Sequence, residues 1–305
     1  MVSINLKTIL NMKSRLLIFI LIIATVFFIV VGHLLYLSNF KGNEKFPKDS
    51  YLETEPNKTA LIIVAHDDDA ISSSGTTTEL IKKGWKVHFL SFYGKWRKQD
   101  NPLRKKEVEH VAKIQNLTSI DLIDFSIQKT DTVKEPWMPV PYSEFPNYFK
   151  IDSLKILIQN AINKYQPSVI FSLDNITGAY GHPEHACVSQ CIIDVCNEQK
   201  LSDSFSVNKI YQAVYTKTMN ENIIGDVPVY ITAKKVYNAD GMPNPDVEIN
   251  IYGSAKEKKA IMNAYKSQKR NLKKFWPYYN WYPYSIYFKI FDKEYFRIIN
   301  INKQN

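Results

Sequence analysis

The chain has 305 residues, of which 45% are hydrophobic and 13% aromatic, and its formal net charge is +9 at pH 7. This composition excludes global disorder, and the length is enough to bury one large core or two modest ones. A positive charge suits an anionic partner such as nucleic acid or a lipid surface, but the lysines are scattered, without an RNP motif, zinc finger or helix-turn-helix signature beside them, which favours a solvated surface. We therefore expect no nucleic-acid partner.

The first element in chain order is an apolar stretch near the N-terminus. Residues 16–37 read LLIFILIIATVFFIVVGHLLYL and follow a basic segment at residues 1–15. The stretch is uncharged and long enough to cross a hydrocarbon core of about 30 Å as a helix. The alternative is a cleaved signal peptide, whose apolar region is shorter and ends in a small-residue cleavage site that is not found here. We therefore predict a single-pass transmembrane anchor.

The charges that flank this anchor do not decide its orientation. The basic residues concerned are Lys7, Lys13 and Arg15 before it and Lys41, Lys45 and Lys48 after it. The positive-inside comparison is therefore close to a tie, and the side of the membrane stays open, although we expect the folded domain outside the cytoplasm. Residues 38–58 are polar with two prolines, which predicts a linker before a folded domain at residues 59–305.

From residue 59 onward, apolar stretches alternate with helical patterns. The apolar stretches have no polar alternation, as is typical of parallel strands covered on both faces; they lie at residues 60–65, 87–93, 120–125 and 169–173. Helices are predicted at residues 72–83, after Asp100 and at residues 152–165. This alternation predicts an α/β domain that is Rossmann-like, with a mostly parallel sheet and helices on both faces.

The last third of the chain has a weaker pattern. We predict strands at residues 210–216 and 229–233 and a helix at residues 256–269. Residues 275–288 read FWPYYNWYPYSIYF. Such rings stack on sugar faces in some proteins, but large aromatics are also dominant contributors to a core. We interpret them as core packing and not as site residues.

Three cysteines are present, Cys187, Cys191 and Cys196. Their odd number and helical spacing argue against a disulfide framework and favour small core residues. They do not identify the compartment in which the domain works.

The first candidate site is the sequence AHDDDA, in which a predicted strand ends at His66, Asp67, Asp68 and Asp69. Adjacent carboxylates repel one another unless water or a cation offsets them, and histidine adds a second kind of metal ligand. Two simpler interpretations are a solvated acidic turn and a helix cap at Asp69.

The second candidate site is GHPEH, which contains His182, Glu184 and His185 and follows the strand that ends before Asp174. On its own it is also consistent with a polar helix start. In open parallel sheets, however, functional loops lie at the carboxyl ends of the strands, where both sequences fall. One His and one Asp from the first loop, with one His from the second, would supply the three ligands of a catalytic zinc.

These two sequences resemble the paired elements of the LmbE-like, or PIG-L-like, de-N-acetylase family, A-H-P-D-D-E and H-x-D/N-H. Further matches are GTTTELIKKGWKVHFLSF, LRKKEVEHVAKIQNL with its R-x-x-E helix, DNITGAYGHPEH, and AYKSQ at residues 264–268. The resemblance covers roughly residues 59–196 and extends to the late helix.

The resemblance implies a role for each site residue. The zinc ligands would be His66, Asp69 and His185, and Asp68 would be the general base. His182 would stabilise the oxyanion, with Glu184 orienting it. The sequence departs from the family at Asp67, which replaces the proline, and at Ala70, which replaces the glutamate. The second departure removes a carboxylate that would support ligand geometry, although Asp67 is a nearby acid that would fill the gap.

The resemblance further implies a Zn²⁺-dependent hydrolase that removes an N-acetyl group from an N-acetylglucosamine-type amino sugar. The predicted anchor suggests a glycan or glycolipid near the membrane as the substrate. The alternative is a catalytically inactive glycan-binding or scaffold protein on the same fold, with Ala70 as its sign. The sequence does not indicate the oligomeric state.

Overall fold

The computed structural model of the chain describes residues 6–93, 100–129 and 135–301, with side chains from residue 14 onward. It contains two compact units, Met1–Gly42 and Asn43–Asn305. The first unit is one helix, α1 (Leu6–Lys41). Within the described residues, its part Ser14–Lys41 is the one helix that is long and apolar enough to cross a membrane, a criterion that a signal sequence also meets.

The second unit is built on a seven-stranded sheet with the order β3-β2-β1-β4-β5-β7-β6. Its strands are β1 (Thr59–Val64), β2 (Lys86–Phe92), β3 (Ser119–Ile123), β4 (Val169–Leu173), β5 (Lys209–Val214), β6 (Val247–Asn250) and β7 (Lys293–Asn300). The first five pair in parallel. β7 runs antiparallel to both β5 and β6, so the sheet ends in a mixed edge.

The helices of this unit connect and cover the strands. They are α2 (Tyr51–Thr54), α3 (Ser74–Lys82), α4 (Asn101–Gln115), α5 (Phe145–Tyr148), α6 (Ile151–Tyr165), α7 (Gly178–Gly181), α8 (Pro183–Gln199), α9 (Lys217–Met219), α10 (Pro228–Val236), α11 (Ala255–Ala264), α12 (Lys269–Phe275) and α13 (Tyr284–Ile290).

The core lies on both faces of the sheet because side chains along a strand alternate between its faces. Leu61 and Ile63 of β1 pack with Ile158 of α6 and Ile192 of α8, all at most 1% exposed. The intervening residue Ile62 is also buried, and α3 and α4 contact β2 and β3 from the other side. This confirms the predicted fold, a mostly parallel sheet with helices.

The first four strands and the strand after residue 209 form where the apolar stretches predicted them. The strand predicted at residues 229–233 is wrong, because this segment is helix α10. Pro228 occupies the first helical turn, where a proline needs no backbone N–H partner, and Tyr230 and Ala233, three residues apart, face inward. The β-branched residues that indicated a strand therefore lie on a short amphipathic helix.

The predicted helix at residues 256–269 is two helices. α11 ends at Ala264 and α12 begins at Lys269. The chain between them turns inward because the Tyr265 hydroxyl donates to the backbone oxygen of Asp67, at 2.9 Å. The AYKSQ sequence therefore marks an interruption that supports the first candidate loop.

The predicted linker at residues 38–58 is only partly a linker, since residues 43–58 belong to the second compact unit. Leu52 is 6% exposed. The Tyr211 hydroxyl donates to Asp49 at 2.8 Å, and the Glu248 backbone N–H donates to the Pro47 oxygen at 2.9 Å. This polar segment therefore packs on the domain through hydrogen bonds that its composition did not indicate.

The three cysteines lie on α8 and are free and buried. Their role as small core residues, predicted from their spacing, is confirmed. Burial raises the pKa of the Cys196 thiol to about 12.

Candidate metal centre

The two candidate loops meet because β1 and β4 are neighbours in the sheet. β2 lies on the other side of β1, so the chain changes direction between β1 and β4, and the carboxyl ends at such a point form a crevice. The loop after β1 is a 3-10 helix, Asp67–Ser73, with His66 at its N-cap. The loop after β4 leads through α7 into α8.

Three side-chain atoms from these loops form a tight triangle. His66 Nδ1 lies 3.0 Å from His185 Nε2 and 3.4 Å from Asp69 Oδ2, and Asp69 Oδ2 lies 3.2 Å from His185 Nε2. Ligands that stand about 2.0–2.1 Å from a tetrahedral zinc lie roughly 3.3 Å from one another. The donor set of His66, Asp69 and His185 therefore fits zinc.

The second nitrogen of each histidine is held by an acceptor. His66 Nε2 lies 2.7 Å from the Glu184 carboxylate, and His185 Nδ1 lies 3.1 Å from the Gly178 carbonyl oxygen. If each of these nitrogens keeps and donates its proton when a cation binds, His66 Nδ1 and His185 Nε2 present lone pairs to that cation. Such outer hydrogen bonds orient metal-binding histidines and raise their basicity.

Gly178 is required at its position for two reasons. Its φ is +61°, and a Cβ there would lie 2.8 Å from the Ala186 backbone nitrogen. Its carbonyl oxygen therefore reaches His185 from a backbone conformation that only glycine adopts without strain.

The expected contact between Glu184 and His182 has to be corrected. The Glu184 carboxylate contacts His66, whereas its backbone N–H donates to His182 Nδ1 at 3.3 Å. His182 is the N-cap of α8, and its side chain accepts this backbone N–H as a cap. The carboxylate that was thought to orient His182 instead supports His66.

His182 is 1% exposed, and its ring stacks on that of His185 with 4.6 Å between centroids. His182, His66 and His185 are also a candidate set of three metal ligands. The ligand atoms of these three side chains lie within 4.8 Å of one another. The wider spacing fits a tetrahedral zinc less well than the triangle that includes Asp69. His182 does not line the pocket beside the triangle.

The electrostatics of the triangle favour a cation. Although burial lowers it, the Asp69 and Glu184 carboxylates raise the pKa of His66 to about 9. Although burial raises it, the His185 and His66 rings bring the pKa of Asp69 to about 2. Burial lowers the pKa of His185. Two buried carboxylates therefore impose negative charge on a space that one histidine ring neutralises by holding a proton.

Arg104 of α4 holds the acidic turn from outside. Its guanidinium forms ion pairs with Asp67 and Asp68. Burial raises the pKa of Asp67 to about 6, although Arg104 opposes this shift. Asp67 therefore pairs with Arg104, and the carboxylate nearest to His66 from outside the turn is that of Glu184. This arrangement does not support the idea that Asp67 fills the gap left by Ala70.

The R-x-x-E sequence of α4 has a second contact. The Glu107 carboxylate accepts hydrogen bonds from the backbone N–H and the hydroxyl of Ser267, at 2.8 and 2.6 Å. Ser267 belongs to AYKSQ, so two sequences that the family resemblance singled out separately are bound to each other. Sequence reasoning missed the role of Arg104, for which the R-x-x-E match was the available signal.

A cavity of about 110 Å³ opens beside the triangle, lined by His66, Asp68, Asp69 and His185 among others. Of the three carboxylates of the turn, those of Asp68 and Asp69 line this cavity, whereas Asp67 does not. The Asp68 side chain is 16% exposed, compared with 3% for Asp67.

Aromatic side chains form part of the cavity wall. Phe275 and Trp276 line it, and Phe275 stacks on Tyr180 with 4.4 Å between ring centroids. The expectation that residues 275–288 only pack in the core is therefore incomplete. Tyr279 and Tyr287 are buried, as expected, but the segment also contributes rings to the site.

The comparisons with known proteins agree with this geometry. Residues 61–196 match the model of the PIG-L family, described as GlcNAc-PI de-N-acetylase. No curated protein matches the chain.

Among solved structures, N,N'-diacetylchitobiose deacetylase from Pyrococcus horikoshii has a TM-score of 0.52 at 17% identity, over 82% of this chain and 89% of that one. The zinc-inhibited form of teicoplanin deacetylase Orf2 has a TM-score of 0.51 at 12% identity, over 81% and 100%. The 4-carboxy-2-hydroxymuconate hydratase GalB from Pseudomonas putida KT2440 also has 0.51 at 12% identity, over 81% and 98%.

Identities this low establish a common fold, and the presence of a hydratase among these structures means that the fold alone does not fix the reaction. The family match rests on the sequence, and it includes both loops of the site. Residues 61–196 of this chain therefore form a domain of the PIG-L family.

Proposed function

We propose that this chain is a zinc-dependent de-N-acetylase that hydrolyses the N-acetyl group of an N-acetylglucosamine-type amino sugar. The observation that carries the proposal is the triangle of His66 Nδ1, Asp69 Oδ2 and His185 Nε2, with sides of 3.0 to 3.4 Å, in the wall of a cavity. The family of the domain supports the N-acetyl group as the target.

The residues divide the reaction between them. Zinc held by His66, Asp69 and His185 would supply Lewis acidity at the amide carbonyl and would lower the pKa of the attacking water to about 7. Asp68 accepts the proton of the attacking water at its carboxylate. Arg104 keeps that carboxylate in position through their ion pair. As the C–N bond breaks, the proton held by Asp68 passes to the leaving nitrogen, so the products are acetate and a free amine on the sugar.

His182 has the role of stabilising the oxyanion in this proposal. Its ring stacks on that of His185, which is part of the triangle. A histidine beside the metal ligands can donate a hydrogen bond to the negative charge that develops on the carbonyl oxygen. The role requires the ring to reach the cavity, and the competing role is that of a third nitrogen ligand. The two roles differ in whether loss of His182 also loses metal.

The substrate in this proposal is a glycan or glycolipid near a membrane. The apolar helix Ser14–Lys41 supports a membrane location as a single-pass anchor, with the domain outside the cytoplasm. The stacked rings of Tyr180 and Phe275 at the cavity offer flat apolar surfaces, which suit the apolar face of a sugar.

Amine release from N-acetylglucosamine-containing glycans and glycolipids, measured on the full-length protein in detergent, tests the proposal. We expect release that a chelator abolishes and that added zinc restores. Cobalt and manganese serve as further arms, because the metal is inferred from ligand chemistry alone. Metal-loaded protein that releases no amine from any of these substrates would favour the inactive glycan-binding alternative, for which Ala70 is the specific observation.

A further inference from the structure

The positive charge of the chain is concentrated in one late segment. Residues 258–291 contain eight lysines and arginines and no aspartate or glutamate, whereas the whole chain has a net charge of +9. The remainder of the chain is therefore close to neutral. Five of these basic residues are exposed on or beside α12, namely Lys266, Lys269, Arg270, Lys273 and Lys274.

Large aromatic and apolar side chains are exposed immediately after this basic helix. Trp281 is 65% exposed, Tyr284 40% and Ile286 38%. Tyr252, which is 39% exposed, joins them because its hydroxyl donates to the Ser285 oxygen at 3.5 Å. We call these four residues and the five exposed basic ones the basic aromatic surface.

The loop that presents Trp281 is fixed at both ends. Tyr279 before it and Tyr287 after it are at most 1% exposed. The Lys259 ammonium group donates to the backbone oxygens of Tyr279 and Tyr282. Trp281 is therefore exposed in a segment that is fixed by two buried tyrosines, one on each side of it.

We propose that the basic aromatic surface docks on an anionic lipid bilayer. Tryptophan and tyrosine are favoured at the headgroup level of membranes, and clusters of lysine and arginine are attracted to anionic lipids. The apolar helix α1 makes a lipid surface available to the same chain. The proposal goes beyond the proposed function, because docking does not depend on metal or on hydrolysis.

Docking has a consequence for access to the site. Phe275 and Trp276, which line the cavity, precede the segment that carries Trp281, and Phe288, which also lines it, lies on the helix α13 that follows. The surface would therefore hold one wall of the cavity at the headgroup layer. A substrate embedded in the membrane would reach the cavity without leaving the lipid surface.

Quenching of tryptophan fluorescence by brominated lipids tests this proposal on the full-length protein in vesicles. Residues 1–42 contain no tryptophan, so quenching reports on the second unit alone. We expect quenching in vesicles with about a third phosphatidylglycerol, and we expect Trp281→Phe to remove most of it. The matched control is Trp137→Phe, since Trp137 is also exposed, at 43%, and lies outside the surface. Thermal unfolding of each variant confirms that it is folded.

A second pair of variants tests the charges. Lys273→Gln with Lys274→Gln should reduce quenching at least twofold in anionic vesicles, whereas the equally exposed pair Lys105→Gln with Lys106→Gln on α4 should not. Equal quenching in wild type and Trp281→Phe would overturn the proposal. So would a change in Trp281 emission with a soluble polyanion such as heparin but not with vesicles, because the surface would then bind an anionic polymer.

Discussion

The two loops of the site are held in different ways. The loop after β1 depends on residues far along the chain, with Arg104 paired to Asp67 and Asp68 and Tyr265 bonded to the Asp67 oxygen. The loop after β4 has more local support, because the buried Asp174 carboxylate accepts backbone N–H groups from residues 176, 177 and 179 at 2.6 to 3.0 Å. The more distant Tyr142 and Arg297 add hydrogen bonds to Ile176 and Asn175.

This difference separates the placement of His185 from the placement of Asp68, the residue that we propose as the base. His185 is fixed by a local turn and a glycine carbonyl, whereas Asp68 is fixed by an arginine on another helix. Local hydrogen bonds that are complete in themselves are insensitive to distant changes, but a buried ion pair leaves an uncompensated charge when one partner is lost. We therefore expect variants of the first loop to affect folding and catalysis together.

The largest effect is expected for His185→Ala, in the loop after β4. This variant removes one corner of the triangle, so we expect loss of bound zinc, measured by elemental analysis of the purified protein, and loss of activity. His182→Ala is the matched control, since both residues are buried histidines of the same turn. Retention of zinc by His185→Ala would remove this residue from the ligand set, and loss of zinc from His182→Ala would make His182 a ligand.

Asp68→Asn tests the base in the other loop. The change keeps the size of the side chain and removes its ability to accept a proton, so turnover should fall by about 10² or more. Bound zinc should stay unchanged, because Asp68 is outside the triangle. If this variant also loses metal, the division of roles between Asp68 and Asp69 is wrong.

Arg104→Gln tests the remote support of the first loop directly. It leaves the buried Asp67 without its cation, so we expect the free energy of unfolding to fall by roughly 3–5 kcal/mol, measured by denaturant titration. Lys105→Gln, the exposed neighbour on the same helix, should change it by less than about 0.5 kcal/mol. Equal stabilities of the two variants would mean that the first loop does not depend on Arg104.

Glu184→Gln sharpens the comparison, because Glu184 lies in the second loop but supports His66 in the first. The amide still accepts a hydrogen bond from His66 Nε2 but no longer carries charge, so zinc affinity should weaken by about 10- to 100-fold. Competition with a chelator of known affinity measures this change. An unchanged zinc affinity would mean that the charge of Glu184 does not support metal binding by His66.

The smallest effect is expected for Ala70→Glu. Glu184 already provides a carboxylate at His66, so the added glutamate should change zinc affinity and turnover by less than about threefold. Zinc titration and a turnover measurement on the same preparation, for wild type and Ala70→Glu, test this expectation. A rise in turnover of more than tenfold would mean that Ala70 impairs the natural protein and would strengthen the inactive alternative.

The sequence was sufficient to predict the parts of this molecule that depend on local patterns. Buried parallel strands lack polar alternation, so β1 to β4 were predictable, and the carboxyl ends of β1 and β4 identified both loops. The contacts of Arg104 and Glu184 were not predictable, because they depend on how α4 and α8 approach the turn. The helix at residues 228–236 was missed because β-branched residues outweighed the proline at its start.

The three thiols of α8 have a consequence for the chemical environment in which the domain can work. Cys187, Cys191 and Cys196 are all free and buried. A hydrogen bond with Cys191, together with burial, raises the pKa of the Cys187 thiol, and burial raises the pKa of the Cys196 thiol. Because the thiolate is the form that oxidants attack, protonated and inaccessible thiols react slowly. An oxidising environment should therefore alter these three thiols only slowly.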